Sequence, residues 1–474
     1  MKTKIVATVG PASRSKEKLR QLIDAGADVF RINFSHVDYA EFEETINTIR
    51  ELNRELNTHI PILADLQGPK IRIGNLPDNH IFLETGDQVI FTTLTDQHSP
   101  QKIFINYPDF PKDVTKGDKI LLDDGKFTLA IEKTNNTDEV VARVEIGGIL
   151  SSRKGVNLPD TKISLPSLSE KDRIDVEFIL KHEIEWIALS FVRTAADVQE
   201  LIDLIRSKKE GNIPPVIAKI EKPEAIENLD EILKTAHGAM VARGDLGVEI
   251  PLHTVPLAQK RIVNMCLELS KPVIIATQMM EGMLENSRPT RAEVNDVANS
   301  VMDGADALML SGETSVGKYP VETVNTMQKI INEVEIFENI YDKKHIPVKE
   351  QNPDYISDSI IYSGCNMARE AGAKAIVSVA SSGYSTAKIA SYRPKATIYT
   401  FADNHFILCR LNLIWGVKPL FYNEFLHTDQ TIALLKKELK TKKLVDRGDL
   451  LVHISNMPIN EPGRSNMLKL SFVE

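Results

Sequence analysis

Eight short apolar segments constrain the fold more tightly than anything else in this chain: residues 4–9, 29–34, 62–66, 186–192, 216–220, 238–242, 272–277 and 307–310. Most are rich in Val and Ile, and each is too short for a buried helix. Seven lead into a stretch of helical periodicity, as at 15–25, 39–56, 195–208, 253–269, 291–302 and 321–335. Strands that are apolar along their whole length belong in a parallel sheet covered on both faces. Eight such strands, each delivering a helix, predict an α/β protein built on a (β/α)8 TIM barrel more economically than an open doubly wound sheet.

The series is interrupted once. After the third segment, residues 70–165 alternate polar and apolar positions, as at 119–122, 127–132 and 140–144, and read as an inserted β-rich module; helical patterning resumes at 169–181. Beyond Tyr341 a polar loop with Pro347 and Pro353 precedes a second α/β series, with strands expected at 375–379, 397–401, 417–421 and 450–455. The expected division is therefore a discontinuous barrel of residues 1–69 and 166–340, an inserted β-rich domain of 70–165, and a C-terminal α/β domain of 341–474. A chain of 474 residues needs such a division, because one core rarely serves more than roughly 100 to 200 residues.

Composition removes several function classes. A net charge of -9 opposes a nucleic-acid partner, and the densest basic stretch, 436–443, is broken by Glu438 and Leu439. Cys266, Cys365 and Cys409 are odd in number and widely spaced, which indicates neither a disulfide framework nor zinc and fits a reducing, cytoplasmic location. The N-terminus runs straight into a strand-like segment without a signal-peptide pattern, and no run approaches the roughly 18 apolar residues of a membrane span.

In such a barrel the chemistry sits where strands deliver side chains to the C-terminal rim. Strand two ends Arg31-Ile32-Asn33-Phe34-Ser35, whose alternation is expected to send Arg31, Asn33 and Ser35 to one face. Strand five ends Lys219-Ile220-Glu221, strand six leads through Arg243 and Gly244 to Asp245, and strand seven delivers Thr277. A ring of structural salt bridges is one reading of this set. Buried charge is costly unless paired or bound to metal, however, and two hard carboxylates suit Mg2+ or Mn2+ shared with substrate phosphates.

The segments 3–13, 31–36, 219–221, 242–247 and 276–280 carry a resemblance to the pyruvate kinase family, in that family's order and over almost the whole chain. The resemblance implies a phosphotransferase acting on phosphoenolpyruvate and ADP. It implies that Glu221 and Asp245 hold the divalent ion, that Lys219 stabilises the transferred charge and the enolate, and that Arg31 binds the phosphoryl group. Gly244 and neighbouring amides would receive the substrate carboxylate, with Thr277 completing the pocket. Asn33, Phe34, Ser35, His36, Arg72 and Lys154 would contact the nucleotide, which makes the inserted module of 70–165 a β-barrel lid domain over the phosphates. Asn33, Ser35, Asp65 and the carbonyl of Leu66 match a monovalent-cation site, and a homotetramer is implied.

Two positions depart from the family pattern. Lys70, in Gly68-Pro69-Lys70-Ile71-Arg72, stands where potassium-dependent members carry Glu, so its ammonium is expected to replace the cation and make activity potassium-independent. Val37 stands where Gly is usual, beside the nucleotide turn.

In the C-terminal region Ser381, Ser382, Gly383, Ser385 and Thr386 join a strand to a helix and offer hydroxyls and amides suited to a phosphate, with plain helix capping as the competing reading; the resemblance implies that this loop, with a second at 456–466, binds a phosphorylated allosteric effector and makes the C-terminal α/β domain regulatory. Gly312 to Lys318 imitates a P-loop, but Tyr319 stands where Ser or Thr would be needed. Ser35, His36 and Asp65 lack the G-x-S-x-G elbow of a hydrolase. A metal-dependent barrel lyase acting on a related enolate is the alternative chemistry, and it needs neither Lys154 nor a lid. A sugar-phosphate sensor without catalysis is disfavoured because Lys219, Glu221, Asp245 and Thr277 are all present.

Overall fold

The computed structural model describes residues 1–35, 38–94, 102–343, 345–350, 352–459 and 463–474. The eight apolar segments form one closed parallel barrel, with strands Lys4–Thr8, Val29–Asn33, Ile62–Asp65, Trp186–Leu189, Val216–Ile220, Gly238–Ala242, Val273–Ala276 and Ala307–Leu310. Their order around the barrel follows the chain, and the last strand closes on the first, Lys4 pairing with Ala307 and Ala7 with Leu310.

Five of the eight strands stop one to three residues before the apolar run does, because the last residues of those runs turn away from the ladder to form the rim. Strand two ends at Asn33, so Phe34 and Ser35 lie in a turn and the alternation expected to aim Ser35 with Arg31 does not extend that far. Strand four ends at Leu189, and Phe191 adopts a φ of 54°. The helix expected from His253 begins at Val255, after a single 3-10 turn at Leu252–Thr254.

Capping sets where the rim loops end. Ser169 and Asp172 form a reciprocal capping box at the start of Glu170–Lys181, and Asp172 also accepts the Gly68 amide at 3.2 Å. The helix that resumes the barrel thus anchors the turn by which the chain leaves it. The inserted segment forms a six-stranded sheet and a two-stranded ribbon, His80–Leu83 with Gly148–Ser151, sharing a core that includes Phe91, Ile120, Leu129 and Leu150. The C-terminal sheet runs Val417–Phe421, Thr397–Ala402, Ala375–Val379, Leu450–Ser455, Met467–Phe472. Its first four strands are parallel, and Met467–Phe472 is an antiparallel edge.

The C-terminal sheet packs beneath the barrel through a buried polar joint. Arg393 donates to Gly304 O at 2.7 Å and Asp306 at 3.0 Å, its guanidinium lies 4.9 Å from the Trp415 ring, and Trp415 N reaches the other oxygen of Asp306 at 3.1 Å. No described helix is long and apolar enough to cross a membrane.

Candidate active site

Six barrel strands meet in one hydrogen-bonded cluster at the rim. Asp65, at the end of strand three, accepts from Arg31 Nε at 2.8 Å through Oδ2, and its Oδ1 lies 3.2 Å from Lys219 Nζ. Arg31 Nη1 donates to Thr8 Oγ1 at 3.0 Å, and Thr8 donates in turn to the Leu310 carbonyl at 2.8 Å, joining strands one, two and eight. Lys219 Nζ also donates to Ser190 Oγ at 2.8 Å and pairs with Glu221 Oε1 at 3.0 Å. Ser190 in turn donates a hydrogen bond to the Leu66 carbonyl at 2.6 Å, and the Phe191 amide donates to Glu221 Oε2 at 2.8 Å.

The electrostatics follow from burial and pairing. Burial alone would lift the Asp65 carboxyl, but Lys219 and Arg31 outweigh it and hold it below the usual carboxylate range. Burial would likewise depress the Lys219 ammonium, yet Asp65, Glu221 and Asp245 raise it, so it stays charged. Glu221 is pushed upward by burial; Lys219 opposes that shift and Asp245 adds to it. Arg31, Lys219, Asp65 and Glu221 balance one another as two cations and two anions. Asp245 is the excess charge, with no hydrogen-bond or ion-pair partner among the described residues. An unbalanced carboxylate facing a buried one suits a hard divalent cation, and in that respect the residues fit a metal.

Thr277 closes the opposite side. It and Gln278 adopt φ of 70° and 53°, a left-handed region costing about 1 to 3 kcal/mol for such a residue. Arg243 holds this turn, donating to the Thr277 carbonyl at 2.8 Å and to Asp296 at 2.6 Å. The Gly244 amide donates to Thr277 Oγ1 at 2.7 Å, and a Cβ at Gly244 would sit 3.3 Å from that oxygen, so glycine permits the approach.

Of the residues expected near a nucleotide, Asn33 accepts the Ser35 amide at 3.1 Å and so shapes its own turn. Phe34 is fully buried, its ring 5.2 Å from that of Phe42, which leaves only its backbone at the turn; its carbonyl accepts Lys171 Nζ at 2.6 Å. His36 and Val37 lie outside the described residues. Arg72 and Lys154 come together at the neck of the lid, where Arg72 bridges to Gly155 and Ile73 N donates to the Lys154 carbonyl at 3.0 Å. Lys154 Nζ pairs with Asp123 at 2.9 Å. Lys70, Asp124, Asn157, Lys222 and Asp245 line one cleft between lid and barrel.

In the C-terminal domain the expected effector loop is only partly open. Ser381 and Ser382 are exposed, Ser385 Oγ meets Ser465 Oγ at 2.8 Å, and Gly383 has φ of 84° with Leu411 2.9 Å from where a Cβ would be. Thr386 is buried against Thr400 at 3.3 Å, so its hydroxyl does not face the loop. Residues 460–462 of the partner loop lie outside the described residues. Gly312–Ser315 is a short helix and Lys318 pairs with Glu285, consistent with setting the P-loop reading aside.

Sequence reasoning passed over Thr8, Ser190 and Phe191. Thr8 and Ser190 stand at or just beyond the ends of apolar barrel strands, the same signal that picked out Lys219 and Thr277. Phe191 acts through its amide, which no side-chain pattern reveals.

Comparison with known proteins agrees with this geometry. The family described as "Pyruvate kinase, barrel domain" matches residues 1–324, and "Pyruvate kinase, alpha/beta domain" matches 358–471. A pyruvate kinase of Geobacillus stearothermophilus is 42% identical over 473 residues, covering 100% of this chain and 80% of the relative. One from Corynebacterium glutamicum is 41% identical over 467 residues, covering 98% and 96%. The crystal structure of a pyruvate kinase from Cryptosporidium parvum superposes with a TM-score of 0.93 at 34% identity, covering 100% of this chain and 96% of that one. With a barrel closed on eight parallel strands, a lid inserted after the third and an α/β domain at the end, the chain belongs to the pyruvate kinase family.

Proposed function

We propose that this chain transfers the phosphoryl group of phosphoenolpyruvate to ADP, giving pyruvate and ATP, and that the rim cluster carries the reaction. The observation supporting this most is the placement of Lys219, a fixed ammonium held at 3.0 Å from Glu221 and 3.2 Å from Asp65. The bond between phosphorus and the enol oxygen breaks while a β-phosphate oxygen of ADP forms the new one. Lys219 and Arg31 offset negative charge on the phosphoryl oxygens, and Lys219 also faces the enolate left behind, which takes a solvent-derived proton at its methylene carbon. Glu221 and Asp245 would hold Mg2+ or Mn2+, which would supply Lewis-acid stabilisation of the charge that develops during transfer. The Gly244 amide, at the start of the helix Arg243–Glu249, and Thr277 would receive the carboxylate. Because Thr277 Oγ1 now accepts that amide, the substrate carboxylate would replace the hydroxyl there. Asn33, Ser35, His36, Arg72 and Lys154 would take the diphosphate, with the lid excluding water.

Activity is proposed to be independent of potassium. Three of the four expected cation ligands already face a donor: Asp65 pairs with Arg31 and Lys219, the Leu66 carbonyl accepts from Ser190, and Asn33 accepts the Ser35 amide. Lys70 lines the cleft and its ammonium has no partner among the described residues. We further propose a cytoplasmic homotetramer, regulated by a phosphorylated effector at Ser381, Ser382, Gly383 and Ser385. Leu252 and Leu257, both exposed, offer apolar surface to a second copy.

A coupled assay for pyruvate tests the central reading: formation that requires both phosphoenolpyruvate and ADP, with magnesium, supports it. Pyruvate appearing equally without ADP, with release of inorganic phosphate, would indicate hydrolysis instead of transfer, and no pyruvate from phosphoenolpyruvate and ADP would refute the kinase reading and leave the lyase alternative.

A further inference from the structure

Outside the rim cluster one buried carboxylate ties the lid to the barrel. Glu249 is the last residue of the helix Arg243–Glu249 and is 4% exposed. Its Oε1 accepts Lys222 Nζ at 2.7 Å and Asn157 Nδ2 at 2.8 Å, while Oε2 is buried without a partner. The three residues belong to three parts of the site. Lys222 directly follows Glu221 and leads into the next helix. Glu249 ends the helix whose first turn holds Gly244 and Asp245. Asn157 is on the lid strand Val156–Asn157, three residues after Lys154.

The contacts continue to the metal-ligand candidate. Lys222 Nζ lies 6.0 Å from the Phe191 ring, and Phe191, held at a φ of 54°, gives its amide to Glu221 Oε2. A carboxylate needed only for packing would be better served with both oxygens satisfied, or by an apolar residue. Glu249 instead concentrates a cation from the barrel and a neutral donor from the lid on one oxygen. The Asn157 bond is the one of the two that opening the lid must break.

We propose that Asn157, Glu249 and Lys222 form a clasp that holds the lid down over the cleft, making Asn157 and Glu249 positioning residues for the nucleotide side of the reaction. Lid closure brings Arg72 and Lys154 to the diphosphate, whereas the phosphoenolpyruvate groups reside on the barrel. Weakening the clasp therefore acts on ADP first. This inference rests on the kinase reading given above.

The test compares wild type, Asn157→Ala, Asn157→Asp, Glu249→Gln and the double variant Asn157→Asp/Glu249→Gln. For Asn157→Ala the expected result is a KM for ADP raised about tenfold, with kcat within about threefold and the KM for phosphoenolpyruvate within about twofold. Asn157→Asp sets two carboxylates against each other and should raise the KM for ADP further. The double variant exchanges donor and acceptor and should recover to within about threefold of wild type, a rescue that simple packing loss does not produce. Hydrogen exchange in the ligand-free protein provides a readout independent of turnover: peptides covering 150–157 should exchange about tenfold faster in Asn157→Ala, while barrel-strand peptides stay unchanged. Unaltered exchange, an unaltered KM for ADP or strictly additive effects would overturn the clasp. A wild type that forms no pyruvate would overturn the kinase reading, leaving the exchange data to judge the clasp by itself.

Discussion

Replacing Lys219 by Met separates what the rim cluster does for stability from what it does for chemistry. The side chains are of similar length, so the change removes one charge with little change in volume. It also removes a hydrogen bond at 2.8 Å to Ser190 and ion pairs at 3.0 Å and 3.2 Å. Asp65 keeps Arg31, but Glu221 is left with the Phe191 amide alone. Breaking a buried pair by deleting one partner costs about 3 to 5 kcal/mol, which lowers a melting midpoint by roughly 6 to 20 °C in a barrel of this size. Removing one preorganised group that faces developing charge costs about 100- to 1000-fold in kcat, and Lys219 faces both phosphoryl and enolate, so a fall of about 1000-fold or more is expected.

The pH dependence has a definite sign. In the wild type Asp65 sits below its unfolded value, so its contribution is present at neutral pH and lost as pH falls through its folded value. Without Lys219 both carboxyls rise, and a carboxyl raised by folding opposes folding most when ionised. The stability deficit of the variant should therefore shrink as pH drops from neutral toward 5. Thermal melts across that range, beside steady-state pyruvate formation at 25 °C, measure both quantities. A well-folded Lys219→Met protein retaining more than a tenth of wild-type kcat would refute the role given to the ammonium.

Other outcomes follow from the same geometry. Turnover should be equal with KCl or with a larger, non-coordinating cation at constant ionic strength, and Lys70→Glu should introduce a potassium requirement; strict potassium dependence of the wild type contradicts the reading of Lys70. Ser382→Asp places a carboxylate in the exposed effector loop and should abolish activation by sugar phosphates or AMP, seen in saturation curves, while basal turnover stays within about twofold. Arg393→Met leaves Asp306 with only the Val273 and Trp415 amides and should cost about 3 to 5 kcal/mol in chemical denaturation, with a change in Trp415 fluorescence as the domains separate.

Most of the barrel was legible because parallel strands buried on both faces must be apolar throughout, and short runs such as 216–220 and 307–310 have no competing interpretation once helices follow them. The rim residues Arg31, Lys219, Glu221 and Thr277 were legible as charges and hydroxyls ending such runs. Asp65 was expected only as a cation ligand, yet it is the hub for both Arg31 and Lys219, a pairing between strands two, three and five that sequence spacing does not encode. Ser35 was assigned by alternation that ends two residues earlier, since the ladder stops at Asn33. The edge strand Met467–Phe472 escaped notice because Lys469 and Ser471 interrupt an apolar run that packs on one side only. The clasp was invisible for a simpler reason: Asn157 and Glu249 are 92 residues apart, and neither stands in a recognisable pattern.

A crystal of the protein grown with Mn2+ and oxalate, whose two adjacent oxygens stand in for the enolate of pyruvate, tests the central assignment most directly. Anomalous scattering should place one manganese between the carboxylates of Glu221 and Asp245, with oxalate completing its shell and Lys219 Nζ within hydrogen-bond distance of an oxalate oxygen. Manganese bound elsewhere, or oxalate lying out of reach of Lys219, would contradict it.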